Sequence, residues 1–99
     1  MSLQEICDWL MENTNALSIA FFDHERRLLG HAGARVNEAT MPVLDELSSA
    51  ALFERDETRA LLATRVGQAT LYVLFDARTS LGLVRLRVKK ATEMLKETA

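Results

Sequence analysis

The 99-residue chain has one cysteine, Cys7. No internal disulfide can form, and a lone thiol suits a reducing compartment. Cys7 falls on an apolar helical face, which reads as a small core residue rather than a nucleophile. No apolar run approaches the roughly 20 residues that span a bilayer. The opening MSLQEICDWL is acidic and lacks a basic n-region, so it does not read as a secretory signal. The expected location is the cytoplasm. His24 and His31 have no histidine four residues away and no cysteine pair beside them, so metal-ligand spacing is missing. Glycines 30, 33, 67 and 82 are scattered and build no phosphate-cradling loop. No serine or cysteine stands near a histidine in a nucleophile motif. Asp23 and Asp76 both end apolar strands and could do acid–base work if those strands brought them together. Strand-end aspartates more often start turns. The expectation is no catalytic residue, no metal and no cofactor.

What the chain does contain is enough for one domain over residues 1–99. It is 48% hydrophobic and 26% charged, ordinary values for a globular protein. A chain of this length buries roughly 60–70% of its extended surface, sufficient for one core without staples. The net charge of -2 hides an asymmetry. Residues 1–57 carry eleven acids and four bases, a sum of -7, whereas residues 58–99 carry three acids and eight bases, a sum of +5. A basic segment raises nucleic-acid binding. Its one aromatic pair, Tyr72 and Phe75, lies inside an apolar run rather than among the bases, so no stacking platform is expected.

The pattern predicts helix, hairpin, helix, hairpin, helix. SLQEICDWLMENTN reads as a first helix, with Ser2 and Glu5 at capping-box spacing and Leu3, Ile6, Cys7 and Leu10 on one face. ALSIAFFD and RRLLGHAG read as a hairpin around the polar turn DHER. ATMPVLDELSSAAL reads as a second helix, capped by Thr40, with Val43, Leu44, Leu47, Ala50 and Ala51 as its apolar stripe. TRALLATRV and ATLYVLFD form a second hairpin through a two-residue turn at Gly67, the latter strand apolar enough for burial on both faces. The last helix starts near Thr79 or Ser80. Leu81, Val84, Val88, Ala91 and Leu95 form its stripe, and Leu83 and Leu86 fall off it. The fold class is α+β.

The element order and the stretch LYVLFDARTSLGLVRLRVKKATEML resemble the Roadblock / dynein light-chain domain family, in its bacterial MglB-like branch. The signature positions are Ser80, Leu81, Gly82, Leu83, Val84 and Arg85, following the Leu74–Asp76 strand end. The resemblance implies an antiparallel sheet of four to five strands, with the second helix on one face and the terminal helices on the other. It implies a homodimer joined edge to edge, with second helices packed across the twofold. It also implies a non-catalytic regulator that binds a Ras-like small GTPase and speeds its hydrolysis without donating an arginine finger. The alternative is an adaptor that binds another Roadblock protein or a motor or polarity component. Neither nucleic acid nor membrane insertion is expected.

Under this reading Val43, Leu47, Ala50, Ala51, Leu83 and Leu86 are the candidate dimer or partner interface. Gly82 would let the last helix start close against the strand it leaves. One departure stands out: between the second helix and TRALLATRV only LFERDE is available for a strand. Either a very short strand survives around 51–55, or TRALLATRV becomes the sheet edge.

Overall fold

The computed structural model describes residues 2–34, 41–44 and 48–98. The elements in order are α1 (Leu3–Thr14), β1 (Ala16–Phe22), β2 (Leu28–Gly33), β3 (Ala50–Glu54), β4 (Arg59–Val66), β5 (Ala69–Asp76) and α2 (Leu81–Thr98). The five strands form one antiparallel sheet in the order β2-β1-β5-β4-β3.

Local chemistry sets the element ends. Ser2 Oγ accepts from the Glu5 N–H while Glu5 Oε1 accepts from the Ser2 N–H, a complete capping box. Asn15 ends α1 in the left-handed conformation (φ 54°), which asparagine tolerates better than most residues. Ser80 Oγ accepts from the Leu83 N–H, so Ser80 caps α2. The Gly67–Gln68 turn joins β4 to β5, with Gly67 at φ 62°.

Both sheet faces are covered. On one face α1 and α2 bury Ile6, Cys7, Leu10, Val84, Val88, Ala91 and Leu95 against Ile19, Phe21, Leu62, Leu71, Val73 and Phe75. Each fully buried aliphatic or aromatic side chain contributes roughly 1.5–3 kcal/mol, so this layer is the main source of stability. The two helices run antiparallel: Leu3 lies near Leu95, and Asn15 near Leu83. The opposite face holds Ala20, Phe22, Leu61, Ala63 and Tyr72 beneath Met41 and Leu44.

At the residues the structure describes, the predicted second helix over residues 39–52 is corrected. Residues 41–44, 48 and 49 are irregular, and Ala50, Ala51 and Leu52 belong to β3. Residues 39–40 and 45–47 lie outside the described residues. The carbonyls of Met41 and Pro42 accept side-chain hydrogen bonds from the sheet side. Tyr72 Oη donates to Pro42 C=O (2.7 Å), and Arg26 Nη2 donates to Met41 C=O (3.4 Å). At the other end, the main chain pairs from Ala50↔Thr64 through Glu54↔Ala60.

The third strand therefore survives, and β4 is not the edge. The acids of LFERDE leave it intact because two of them fall in the following turn. Asp56 Oδ1 accepts from the N–H groups of Thr58 and Arg59, and Oδ2 accepts from Arg59 Nε.

Candidate functional site

The candidate residues do not gather into one patch. Ala50 and Ala51 lie on β3, where Ala50 is exposed and Ala51 half-buried. Val43 is 74% exposed on the other face of the sheet, between buried Met41 and Leu44. Leu47 lies outside the described residues. Leu83 is half-buried and lines a cleft with Asn15, Leu17, Asp76 and Arg78. Leu86 is 61% exposed on the outer side of α2, as its position off the stripe predicts.

The signature positions divide between core and surface. Val84 is fully buried and Leu81 packs against the same core. Ser80 is the cap. Gly82 departs from expectation: a Cβ there would meet nothing nearer than Ser80 Oγ at 3.7 Å, so no close approach to a strand requires the glycine. Arg85 is exposed and lines an apolar groove of about 280 Å³ with Ala50, Leu62, Val88 and Lys89. Sequence reasoning missed Lys89 and Leu52 as surface partners of Ala50. The spacing of 48–52 suits a helix face as well as a strand, and only pairing with β4 distinguishes them.

The two edges of the sheet differ. At the β2 edge, Gln4 Oε1 accepts from the His31 N–H (3.3 Å) and Gln4 Nε2 donates to the His31 C=O. The side-chain amide stands where a neighbouring strand would bond. At the other edge, the Arg65 N–H donates to Ser49 C=O (2.7 Å) and the Arg55 N–H to Arg59 C=O (3.1 Å). Antiparallel ladders alternate, so residues 49, 51, 53 and 55 face β4, and Ala50, Leu52 and Glu54 turn their N–H and C=O groups outward. Among the described residues nothing pairs with them.

The chemistry-bearing side chains are accounted for locally. Because β1 and β5 are antiparallel, with Ala16↔Phe75 and Phe22↔Thr70, Asp23 and Asp76 stand at opposite ends of the sheet. The Arg78 side chain, followed by its N–H, holds the Asp76 carboxyl down at about 2. The Arg27 N–H, followed by its guanidinium, lowers Asp23. Asp56 is held well below the usual carboxylate range by the Arg59 side chain and then by Thr58. Cys7 is 1% exposed, and burial, with a smaller effect of the Asp8 charge, pushes its thiol up to about 11. His31 Nε2 lies 2.9 Å from Ala34 C=O, and His24 is exposed 3.7 Å from Glu25. Among the described residues no cluster of His, Cys, Asp or Glu could hold a metal ion. Tyr72 and Phe75 are buried, and no described helix is long and apolar enough to cross a membrane.

A five-stranded antiparallel sheet in this order, with the terminal helices on one face, is the Roadblock/longin architecture. No family model and no curated sequence matches the chain. Solved structures do. Myxococcus xanthus MglB is 32% identical over 96% of this chain and 92% of that one, with a TM-score of 0.82. A structure described as MglB with tetrameric arrangement is 20% identical over 98% of this chain and 87% of that one, with a TM-score of 0.77. The Roadblock/LC7 domain from Streptomyces avermitilis is 9% identical over 98% of this chain and 97% of that one, also at 0.77, which speaks for the fold alone. The chain belongs to the MglB-like branch of the Roadblock family.

Proposed function

We propose that this protein is a non-catalytic cytoplasmic regulator that self-associates, binds a Ras-like small GTPase and promotes its GTP hydrolysis by ordering the GTPase's own residues. The observation that carries the reading is the likeness to MglB along nearly the whole chain. Two surface features support it. The β3 edge offers to a second Roadblock sheet backbone groups that nothing pairs with among the described residues. Leu86 stands exposed on α2 beside exposed Arg85, Lys89 and Lys90, an apolar anchor in a basic rim.

Titration with a Ras-like GTPase in its GTP-bound and GDP-bound forms tests the proposal. A complex with the GTP form is expected, and absence of a complex with either form would overturn it. Leu86→Asp should keep the fold and weaken that complex, whereas a loss of folding would assign Leu86 to the core. The open β3 edge also favours a second reading, an adaptor that pairs with a different Roadblock chain. A tight heteromer that leaves GTP hydrolysis unchanged would select it.

A further inference from the structure

The groove between α2 and strands β3 and β4 joins an apolar floor to a cationic rim. Ala50 and Thr64 sit opposite each other in the ladder, and Leu62 lies two residues away on β4, so all three point to the helix-bearing face. Buried Val88 forms the wall on α2, with Arg85 and Lys89 on the rim, about one helical turn apart and both exposed. Neither cation makes an ion pair among the described residues, and the described lining contains no acid. Like charges at this spacing repel, and an anion between them removes the repulsion. The cavity of about 280 Å³ stays open because residue 50 is an alanine, where a larger side chain would fill the floor.

The neighbouring clefts lack this combination. The cleft under the start of α2 carries Asp56 and Glu57, which repel an anion. The apolar cleft beside Leu3, Phe21 and Leu95 has no lysine or arginine in its described lining, and its Asp23 is already bonded to Arg27 (2.9 Å). Near Leu83 the cation is Arg78, which is held by Asp76 (2.9 Å). In the groove itself the Thr92 hydroxyl donates to Val88 C=O (2.9 Å), which leaves recognition of an anion to Arg85 and Lys89. Its volume is at the small end of ligand sites, which run roughly 300–1,000 Å³. A compact ligand with one anionic end and one apolar end matches that size and that separation of charge from floor.

We infer that this groove binds a free aliphatic carboxylate of medium chain length, its tail against Ala50, Leu62 and Val88 and its carboxylate between Arg85 and Lys89. The arginine offers paired N–H donors that match the two carboxylate oxygens, and the lysine adds a point charge. Removing the tail from water supplies affinity, and the two cations supply the preference for an anion. The groove opens on the helix-bearing face, out of the plane in which β3 presents its backbone groups. The inference therefore stands apart from both self-association and GTPase binding.

Titration of the isotope-labelled full chain with octanoate, octanol and octylammonium, read from backbone amide shifts, tests it. Octanoate should move the amides of Ala50, Thr64 and Val88 saturably and bind about tenfold more tightly than octanol. Octylammonium should bind more weakly than octanol. Combining Arg85→Gln with Lys89→Gln should bring octanoate down to the level of octanol and leave octanol unchanged. Ala50→Leu should weaken both by filling the floor. All three positions are exposed, and circular dichroism would confirm that the variants fold. Absence of a saturable shift at those amides, equal affinity for octanoate and octanol, or an octanoate affinity unmoved by the double variant would overturn the inference. Phosphatidylglycerol vesicles provide the remaining arm. A chain that binds them through Arg85 and Lys89 yet leaves octanoate free would assign the rim to a membrane surface and overturn it as well.

Discussion

The side-chain amide of Gln4, on α1, bonds both backbone groups of His31 on β2, twenty-seven residues away. It does for the β2 edge what another strand would do, at the cost of one side chain, and it pins the start of α1 to the sheet. Gln4→Ala frees that edge. The substitution should cost about 1 kcal/mol and speed amide exchange at His31. It should also raise the tendency to aggregate, because an unprotected edge is a template for pairing. Unchanged exchange at His31 would show that the edge is protected by something else.

Gly30 and Cys7 are a steric pair. A Cβ at Gly30 would stand 3.0 Å from Cys7 Sγ, tighter than ordinary contact. Gly30→Ala should therefore destabilise by about 1–3 kcal/mol through overpacking between α1 and β2. Adding Cys7→Ala should return part of that loss. Strict additivity in denaturant melts would refute the pairing.

Cys7 also links stability to alkaline pH. Its thiol rises from 9.0 to about 11 on folding, chiefly by burial. The unfolded chain therefore releases its proton first, and stability falls as pH rises from about 9 to 11. Below 9 both states keep the proton and the effect vanishes. Cys7→Ala should lose this alkaline slope, which thermal melts across that range would reveal.

Gly82 sits in the first turn of α2, where a Cβ would make only an ordinary contact with Ser80 Oγ at 3.7 Å. Gly82→Ala should raise stability by about 0.5–1 kcal/mol, because alanine favours the helix and clashes with nothing. A fall in melting temperature would restore the close approach that the sequence suggested.

Tyr72 Oη donates to Pro42 C=O and accepts from Arg26 Nη1, both at 2.7 Å. The Arg26 guanidinium also lies over the rings of Phe22 and Tyr72, at 5.4 and 5.6 Å. The hydroxyl thus ties residues 41–44 to the sheet. Tyr72→Phe should cost about 1–2 kcal/mol and speed proteolysis near Met41. Unchanged cleavage would show that burial of Met41 and Leu44 holds the segment alone.

The sequence by itself determined what depends on neighbours a few residues apart. The Ser2–Glu5 box, the Gly67 turn and the Val84–Val88–Ala91–Leu95 stripe each follow from spacing along the chain and form as expected, and of the two candidate caps Thr79 and Ser80 the structure uses Ser80. Enough of them fall in one order to mark the family. Tertiary structure decided the rest. Residues 50–52 satisfy a helical and a strand pattern equally, and only the backbone of β4 resolves them. Asp23 and Asp76 look alike at two strand ends, yet antiparallel pairing sends them to opposite ends of the sheet. The Gln4–His31 contact and the outward parity of Ala50, Leu52 and Glu54 arise from elements distant in sequence. Which edge Gln4 closes, and which has no partner among the described residues, is a property of packing, because hydrogen-bond direction is set only once two strands share a register.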